Sequence, residues 1–237
     1  EIASALRSSA ARYDNPEEAI DIARSLRRAE LARIACADIL GMMDVEEVCA
    51  ALSTIWVAVL DAGLEVVQRN KLMQEGLTVA DAPARISVIG MGRLGGMEIG
   101  YGSDADVMFV CEPTEHAADK ESALQWSTEV IETLQRLLKK PSTDPSLEID
   151  VDLRPEGKKG AVVRSLASYQ KYYEEWAEPW ELQALLRATP LAGDMELGEK
   201  FIEIINPLRY PEKVSRQTIQ QIQRMKIRVE KERMPRG

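Results

Sequence analysis

Two aspartates separated by one residue are the first feature of this sequence that could carry chemistry. In Ser103-Asp-Ala-Asp106 they precede residues 107–111, an apolar segment with the composition of a buried strand. Alternate side chains of a strand share a face, so we expect Asp104 and Asp106 to point the same way while Ala105 faces the core. Neighbouring carboxylates repel each other unless a cation lies between them, and Mg²⁺ prefers oxygen ligands. The pattern predicts a magnesium site, although Asp-x-Asp alone fits a solvated strand entrance equally well.

A glycine-rich segment, residues 90–102, lies directly before these aspartates. It follows a β-branched run at residues 85–89 that predicts a strand. Glycines let backbone N–H groups approach a phosphate closely, a nearby hydroxyl adds a hydrogen bond, and an arginine adds a fixed positive charge. The candidate phosphate-binding residues are therefore Gly92, Arg93, Gly95, Gly96 and Ser103.

The same glycines allow a second interpretation. Gly90-Met-Gly-Arg-Leu-Gly95 matches the G-x-G-x-x-G fingerprint of dinucleotide-binding folds, with Glu112 about 20 residues further on. That fold needs a helix to begin at the glycines, and each glycine inside a helix costs roughly 1 kcal/mol relative to alanine. Gly96, Gly100 and Gly102 occupy the positions where that helix would run. A dinucleotide site is therefore the weaker alternative.

A second acidic segment follows at residues 147–153, where acidic and apolar residues alternate as in a third strand. The residues predicted to share its polar face are Glu148, Asp150, Asp152 and Arg154. Next comes Arg154-Pro-Glu-Gly-Lys-Lys-Gly160, a basic turn whose Arg154 and Lys158 are further phosphate candidates. A glycine loop, an Asp-x-Asp strand and an acidic strand, in this order, are typical of a two-metal nucleotidyltransferase.

The composition of the chain narrows the chemistry further. Its 237 residues include 30 Lys and Arg against 39 Asp and Glu, a formal net charge of −9 that argues against a general nucleic-acid-binding surface. Because His116 is its single histidine, the sequence argues against a catalytic triad and against a histidine-based zinc site. No membrane span or signal peptide is visible, and three widely spaced cysteines suit a reducing compartment, so we expect a cytoplasmic protein.

Helical segments surround the predicted strands. Asn15 and Asp44 are N-cap signals for two amphipathic helices in the first 80 residues. A helix is expected at residues 117–139 and a short fourth strand at 161–163. Further helices are predicted near residues 166–176, 179–188, 194–205 and 215–233. The predicted class is α+β, with a small mixed sheet flanked by N-terminal helices and a C-terminal helical bundle.

These motifs resemble a known family. Val88-Ile-Gly-Met-Gly-Arg-Leu-Gly-Gly-Met-Glu98, with Gly102-Ser-Asp-Ala-Asp106, is similar to the core of DNA polymerase beta-type nucleotidyltransferases. More narrowly, Asp150-Val-Asp-Leu-Arg-Pro-Glu-Gly157 and Trp180-Glu-Leu-Gln-Ala-Leu-Leu-Arg-Ala188 resemble segments of glutamine synthetase adenylyltransferases. Members of that family are bifunctional enzymes that attach AMP to glutamine synthetase and remove it. The similarity covers about residues 85–194.

The resemblance implies a function and a ligand set. It implies transfer of AMP from ATP to a tyrosine of glutamine synthetase, with Mg²⁺ held by Asp104, Asp106 and Asp150. Many members have arginine where this chain has Asp152, which leaves open whether that acid joins the site. The family further implies a PII-type signal protein as a regulatory partner, and no contact with nucleic acid or membrane.

The resemblance also implies an organisation along the chain. The predicted units are an N-terminal helical segment at residues 1–80, a nucleotidyltransferase core at 81–164 and a C-terminal helical domain at 165–237. The motif forms look more like the C-terminal, transferring core of actinobacterial members than the N-terminal, deadenylylating core, which stays as the alternative. Because family members usually continue further, we expect the chain to be a fragment.

Overall fold

The computed structural model describes residues 2–145 and 147–233. The elements in chain order are α1 (Ile2–Ala10), α2 (Pro16–Ile39), α3 (Val45–Gln74), β1 (Ala84–Gly90), α4 (Gly92–Gly95), β2 (Ala105–Pro113), α5 (Lys120–Lys139), β3 (Ile149–Asp150), β4 (Val163–Ser165), α6 (Leu166–Glu175), α7 (Pro179–Ala184), β5 (Thr189–Gly193), α8 (Met195–Arg209) and α9 (Arg216–Arg233). Short 3-10 turns lie at Val79–Asp81, Gly157–Lys159 and Leu185–Arg187. Long helices around a small sheet confirm the α+β class.

The sheet is mixed, with strand order β3-β2-β1-β5. β1 runs antiparallel to both β2 and β5, whereas β3 and β4 run parallel to β2 and pair with successive parts of its free edge. A dinucleotide fold would need a crossover helix between two parallel strands. Here the glycine segment joins two antiparallel neighbours, so that alternative interpretation is wrong.

Helices cover both faces of the sheet. Along β2, Val107 and Phe109 pack into a large cluster with α1, α2, α3 and α5. The alternate residues Met108 and Val110 pack into a second cluster with α6 and α8, where Phe201 is buried. This alternation is the two-residue period of a strand covered on both sides.

The two N-caps predicted for the long helices are present. The Asn15 side chain accepts a hydrogen bond from the Glu17 N–H at the start of α2, and Asp44 forms a reciprocal capping box with Glu47 at the start of α3. Within the described residues, α3 is the one helix long and apolar enough to cross a membrane by length and composition. However, 67% of its most apolar window is buried inside the protein, as expected for a core helix.

The third strand is much shorter than the alternating pattern predicted. β3 contains only Ile149 and Asp150, because the Asp150 Oδ1 accepts the N–H of Asp152 at 2.7 Å and turns the chain away. Leu153 consequently packs in the α6–α8 cluster, whereas Ile149 packs in the other one. The prediction that residues 147–153 form one strand, with Arg154 on its acidic face, is wrong.

The fifth strand was missed. β5 pairs with β1 through residues 87–90, although its sequence, Thr-Pro-Leu-Ala-Gly, contains two residues that usually interrupt strands. A strand at the edge of a sheet tolerates proline because one side of its backbone needs no partner. The sheet thus includes a segment from beyond residue 164, the predicted end of the nucleotidyltransferase core.

Candidate active site

Three of the predicted carboxylates lie on two neighbouring strands or directly before one of them. Asp106 lies at the start of β2 and stands directly opposite Asp150 of β3 in the parallel register. The pairing is fixed by the Ala105 N–H, which donates to the Glu148 carbonyl at 3.1 Å. Because Ala105 and Ile149 belong to the cluster on the α2–α3 side, Asp106 and Asp150 leave the sheet on the opposite side. Asp104, exposed just before β2, completes the group.

The electrostatics of Asp106 reflect this crowding. Burial, and then the neighbouring charges of Asp150 and Asp104, raise the pKa of its carboxyl to about 6. Among the described residues, no lysine, arginine or histidine forms an ion pair with any of the three acids. The group therefore carries concentrated negative charge that the protein itself does not neutralise.

The donor chemistry of these acids fits an oxygen-preferring cation such as Mg²⁺. Their side chains as they stand do not converge: within the described chain, no three Asp, Glu, His or Cys side chains are close enough to hold one metal ion together. The case for a cation site therefore rests on the donor chemistry of the acids and on the pairing of Asp106 with Asp150.

The glycine loop lies against Asp106. The Met91 N–H donates to the Asp106 carbonyl at 2.8 Å and brings the start of α4 to the strand. Gly92 has a φ of +51°, and a Cβ added there would overlap the Asp106 Oδ2. Any other residue at this position would be strained and would displace the carboxylate.

Gly95 and Gly96 act differently from the prediction. Their N–H groups donate to the carbonyls of Met91 and Gly92, at 2.8 and 3.3 Å, so they are engaged within the loop rather than free for phosphate. A Cβ on Gly95 would overlap the carbonyl oxygens of Gly90 and Arg187. The glycines here permit close packing of the loop against β1 and the turn before β5.

Arg93 and Ser103 form one unit on the exposed side of the loop. The Ser103 Oγ accepts hydrogen bonds from the Gly100 N–H and from Arg93 Nη1, both at 3.2 Å. The Arg93 Nε donates to the Glu98 carbonyl at 2.9 Å. A positive charge and a hydroxyl are thereby held one residue before Asp104.

Contacts from other elements fix this loop. The Ile99 N–H donates to the Ser53 Oγ on α3 at 3.2 Å, and the Tyr101 hydroxyl donates to the Asp38 Oδ2 on α2 at 3.0 Å. On the other side, Arg187 forms a 2.6 Å ion pair with Glu98. These partners lie far apart along the chain, and no local sequence signal identifies them.

The basic turn places its two phosphate candidates in different settings. Arg154 is buried, and its guanidinium donates to the carbonyls of Val151, Lys158 and Gly160 at 2.8, 3.2 and 3.0 Å. Lys158 is exposed, with its Nζ 3.3 Å from the Asp152 Oδ2. Arg154 therefore supports the turn from within, while Lys158 lies on its surface.

The same turn distinguishes the two candidate third acids. Asp152 lies beside two positive charges, Lys158 and, at 3.7 Å, Arg154. Asp150 has no such partner among the described residues and faces Asp106 across the strand pair. Asp150 therefore adds to the uncompensated charge of the site, and Asp152 does not.

Comparison with known proteins identifies the family of this chain. The GlnE family, described as "Glutamate-ammonia ligase adenylyltransferase", matches residues 1–204. The chain belongs to this family. The "Bifunctional glutamine synthetase adenylyltransferase/adenylyl-removing enzyme" of Corynebacterium diphtheriae is 57% identical over 238 residues, which cover 100% of this chain and 22% of the relative.

Other relatives with the same description give the same picture. The Mycobacterium tuberculosis (strain CDC 1551 / Oshkosh) and Nocardia farcinica proteins are each 55% identical, over 100% of this chain and 23% of their own length. The resemblance to actinobacterial glutamine synthetase adenylyltransferases is thereby confirmed. The chain spans about a quarter of the length of these curated relatives.

Proposed function

We propose that this chain is a nucleotidyltransferase unit that transfers AMP from ATP to a tyrosine hydroxyl of glutamine synthetase, with pyrophosphate as the leaving group, and so regulates nitrogen assimilation. Family membership supports the reaction class. The observation that carries the proposal is the pairing of Asp106 with Asp150 beside Gly92, which places uncompensated carboxylates against a glycine loop. Carboxylates of this kind are the ligands that a metal-dependent transfer of a phosphate ester needs.

Asp104, Asp106 and Asp150 are the residues that would hold Mg²⁺. Such ions, when bound, neutralise charge on the phosphates and lower the pKa of a coordinated phenol from its usual value of about 10. Asp152 is not assigned to this set, because Lys158 and Arg154 already lie beside its carboxylate.

The side chains around the acids have separate tasks in this proposal. Asp150 accepts the proton of the attacking hydroxyl at its Oδ2, since its Oδ1 already accepts the N–H of Asp152. Arg93 and Ser103 bind the β- and γ-phosphates from the side of the glycine loop, and Lys158 binds from the basic turn. Arg154 is a positioning residue, because its donors are directed at the carbonyls of that turn.

Phosphorolytic removal of AMP from glutamine synthetase is the second candidate function. The relatives' own description includes an adenylyl-removing activity. The same carboxylates could serve either direction, because attack by phosphate and attack by a phenol place similar charge at the same phosphorus. We also propose a cytoplasmic location, regulation by a PII-type signal protein, and no nucleic-acid or membrane partner.

The test is to mix the chain with glutamine synthetase, Mg²⁺ and ATP that carries its label in the AMP portion. We expect label on glutamine synthetase with the wild-type chain, and none with Asp104→Asn, Asp106→Asn or Asp150→Asn. Asp152→Asn is the matched control and should retain transfer. If no label is transferred with or without a PII-type protein, the transferase proposal is wrong. Release of label from pre-adenylylated glutamine synthetase by phosphate would establish the second function instead.

A further inference from the structure

The turn between α2 and α3 exposes an unusual amount of apolar surface. Four aliphatic side chains within seven residues stand in solvent, with exposed fractions of 85% for Ile39, 71% for Leu40, 73% for Met42 and 77% for Val45. We call residues 38–47 the α2–α3 tip. Single exposed apolar residues are common on proteins, but a contiguous group of this kind marks an interaction site.

The fold does not need these side chains to close the turn. Gly41, with a φ of +65°, ends α2 in a Schellman motif: its N–H donates to the Asp38 carbonyl and the next N–H donates to the Ala37 carbonyl, at 2.9 and 2.8 Å. The Asp44 capping box starts α3, and Met43 packs against the core. Caps and one partly buried methionine hold the turn, which leaves the four exposed aliphatics without a structural role.

The tip is continuous with the rim of the candidate active site. Asp38 accepts the hydrogen bond from the Tyr101 hydroxyl, and Tyr101 lies three residues before Asp104 on the loop that leads into β2. Tyr101 is itself exposed, as are Gly102 and Asp104. Any macromolecule that brings a side-chain hydroxyl to Asp104 must cover this loop, and the tip is its immediate neighbour.

The charge of the tip restricts the kind of partner. Residues 38–47 contain four acids and no lysine or arginine, and the acids are Asp38, Asp44, Glu46 and Glu47. The neighbouring site adds the three catalytic carboxylates. A complementary surface must therefore have an apolar patch bordered by basic side chains.

We propose that the α2–α3 tip docks the protein acceptor, a folded surface with an apolar patch and a basic rim beside the hydroxyl to be modified. The inference rests on the proposed function and adds how a protein substrate is recognised. The tip contains none of the residues proposed to bind nucleotide, so docking there raises affinity for the acceptor without altering the affinity for nucleotide.

The test combines a charged tip with a matched surface control. In the double variant Leu40→Lys/Met42→Lys, two exposed aliphatics become cations, which repel a basic rim and remove apolar contact. Val79→Lys changes an aliphatic of similar exposure, 69%, in the 3-10 turn that follows the opposite end of α3. Binding to immobilised glutamine synthetase, Mg²⁺-ATP affinity and melting temperature are measured for each variant.

We expect the tip variant to bind glutamine synthetase at least about tenfold more weakly, with Mg²⁺-ATP affinity and melting temperature unchanged. Val79→Lys should bind like the wild type. Equal binding by the tip variant, equal loss in the Val79 variant, or absence of binding by the wild type overturns the inference. A change of oligomeric state in the tip variant also overturns it, because the tip is then an interface between copies.

The two proposals fail in different ways. Asp106→Asn should bind glutamine synthetase normally and transfer no AMP, which separates docking from catalysis. If the wild type binds glutamine synthetase through the tip but transfers no AMP in either direction, the docking inference stands and the proposed function is wrong.

Discussion

The candidate site draws its acids from two strands of very different construction. β2 has nine residues, pairs with β1 along seven of them and is buried along most of its length. β3 has two residues and pairs only with the start of β2. Asp106 therefore lies on a long strand, one residue before the pairing with β1 begins, whereas Asp150 lies on a short edge segment. The site combines a fixed carboxylate with one whose position depends on the turn that follows it.

This difference explains where each strand obtains its support. Asp106 is held in position by its strand pairing and by the backbone of Met91 and Gly92, which lies directly against it. Asp150 is set by the turn at Asp152 and, beyond it, by the hydrogen bonds of Arg154. Substitutions beside β2 should therefore displace Asp106 directly, whereas substitutions beside β3 should displace Asp150 by way of the turn.

The largest effect should come from removing an acid of either strand. Asp106→Asn and Asp150→Asn each delete a proposed Mg²⁺ ligand, and a bound ion would supply several kcal/mol to the transition state, so we expect AMP transfer to fall by about 1,000-fold or more. Initial rates of label transfer to glutamine synthetase check this. A loss in Asp106→Asn that far exceeds the loss in Asp150→Asn would show that only the long strand serves the metal.

Gly92→Ala should have the next largest effect, because its Cβ would overlap the Asp106 Oδ2 at a left-handed φ. We expect destabilisation of about 1–3 kcal/mol and a loss of transfer of about 100-fold. Urea unfolding and transfer rates measure both quantities. Gly76→Ala separates the causes, since Gly76 has a φ of +73° with no heavy atom within 4 Å, and it should lose stability but not transfer. Full transfer in Gly92→Ala would contradict the close contact.

The contrast between the strands also marks the limit of sequence interpretation. The strand that begins beside Asp106 and the caps at Asn15 and Asp44 were predicted correctly, because strand patterns and capping depend on residues within a few positions. β5 could not be predicted in the same way, since its partner β1 lies about 100 residues earlier and its own sequence is atypical of strands.

The basic turn and the tip show the same limit. The alternation of acidic and apolar residues predicted a third strand that reaches residue 153. The hydrogen bond that the Asp150 side chain accepts from the Asp152 N–H ends this strand earlier and leaves no periodic signal in the sequence. Arg154 was predicted to be a phosphate candidate, although it is buried and donates to three carbonyls. The apolar residues of the α2–α3 tip resemble core residues in type, and only the tertiary structure shows that four of them are exposed.

Arg154→Lys tests whether Asp150 depends on the turn. Lysine cannot reproduce three directed N–H donors, and a buried charge that loses partners is costly, so we expect a loss of about 2–4 kcal/mol in unfolding free energy. Transfer should fall by about tenfold, through misplacement of Asp150. Thermal unfolding and transfer rates measure these, with the exposed Lys159→Gln on the same turn as control. Unchanged transfer in a destabilised protein would make Arg154 purely structural.

The pH dependence of folding stability, measured without substrates, should distinguish the half-buried Asp106 from acids on the surface. The pKa of Asp106 is about 6 in the folded chain, above its ordinary value of 3.8, so ionisation opposes folding. Its contribution to stability is full below about pH 4 and is lost as the pH rises through about 6. Because Asp106 is only half-buried, solvent screens part of this penalty, so metal-free Asp106→Asn should be more stable than the wild type at pH 7.5 by about 1–2 kcal/mol, and the gain should shrink towards pH 4.

The measurement is denaturant unfolding across pH 4–8, first in chelator and then with Mg²⁺ in excess of the chelator. Mg²⁺ should raise the stability of the wild type but have little effect on that of Asp106→Asn, because binding to the folded state needs the carboxylate. Glu199→Gln, an exposed substitution on α8, should show no such gain. A pH-independent difference between the wild type and Asp106→Asn would mean that the carboxylate is not under electrostatic strain.

The smallest effect should come from Asp152→Asn, and it decides which acid of the turn belongs to the site. Asp152 is partly exposed and pairs with the surface Lys158, so its loss should cost no more than about 1 kcal/mol of stability. Transfer should stay within about threefold of the wild type, beside the large loss expected for Asp150→Asn. Both variants are measured in the same assay at the same Mg²⁺ concentration. The reverse order would mean that the turn rearranges when Mg²⁺ binds, so that the edge strand contributes its second acid rather than the one paired with Asp106.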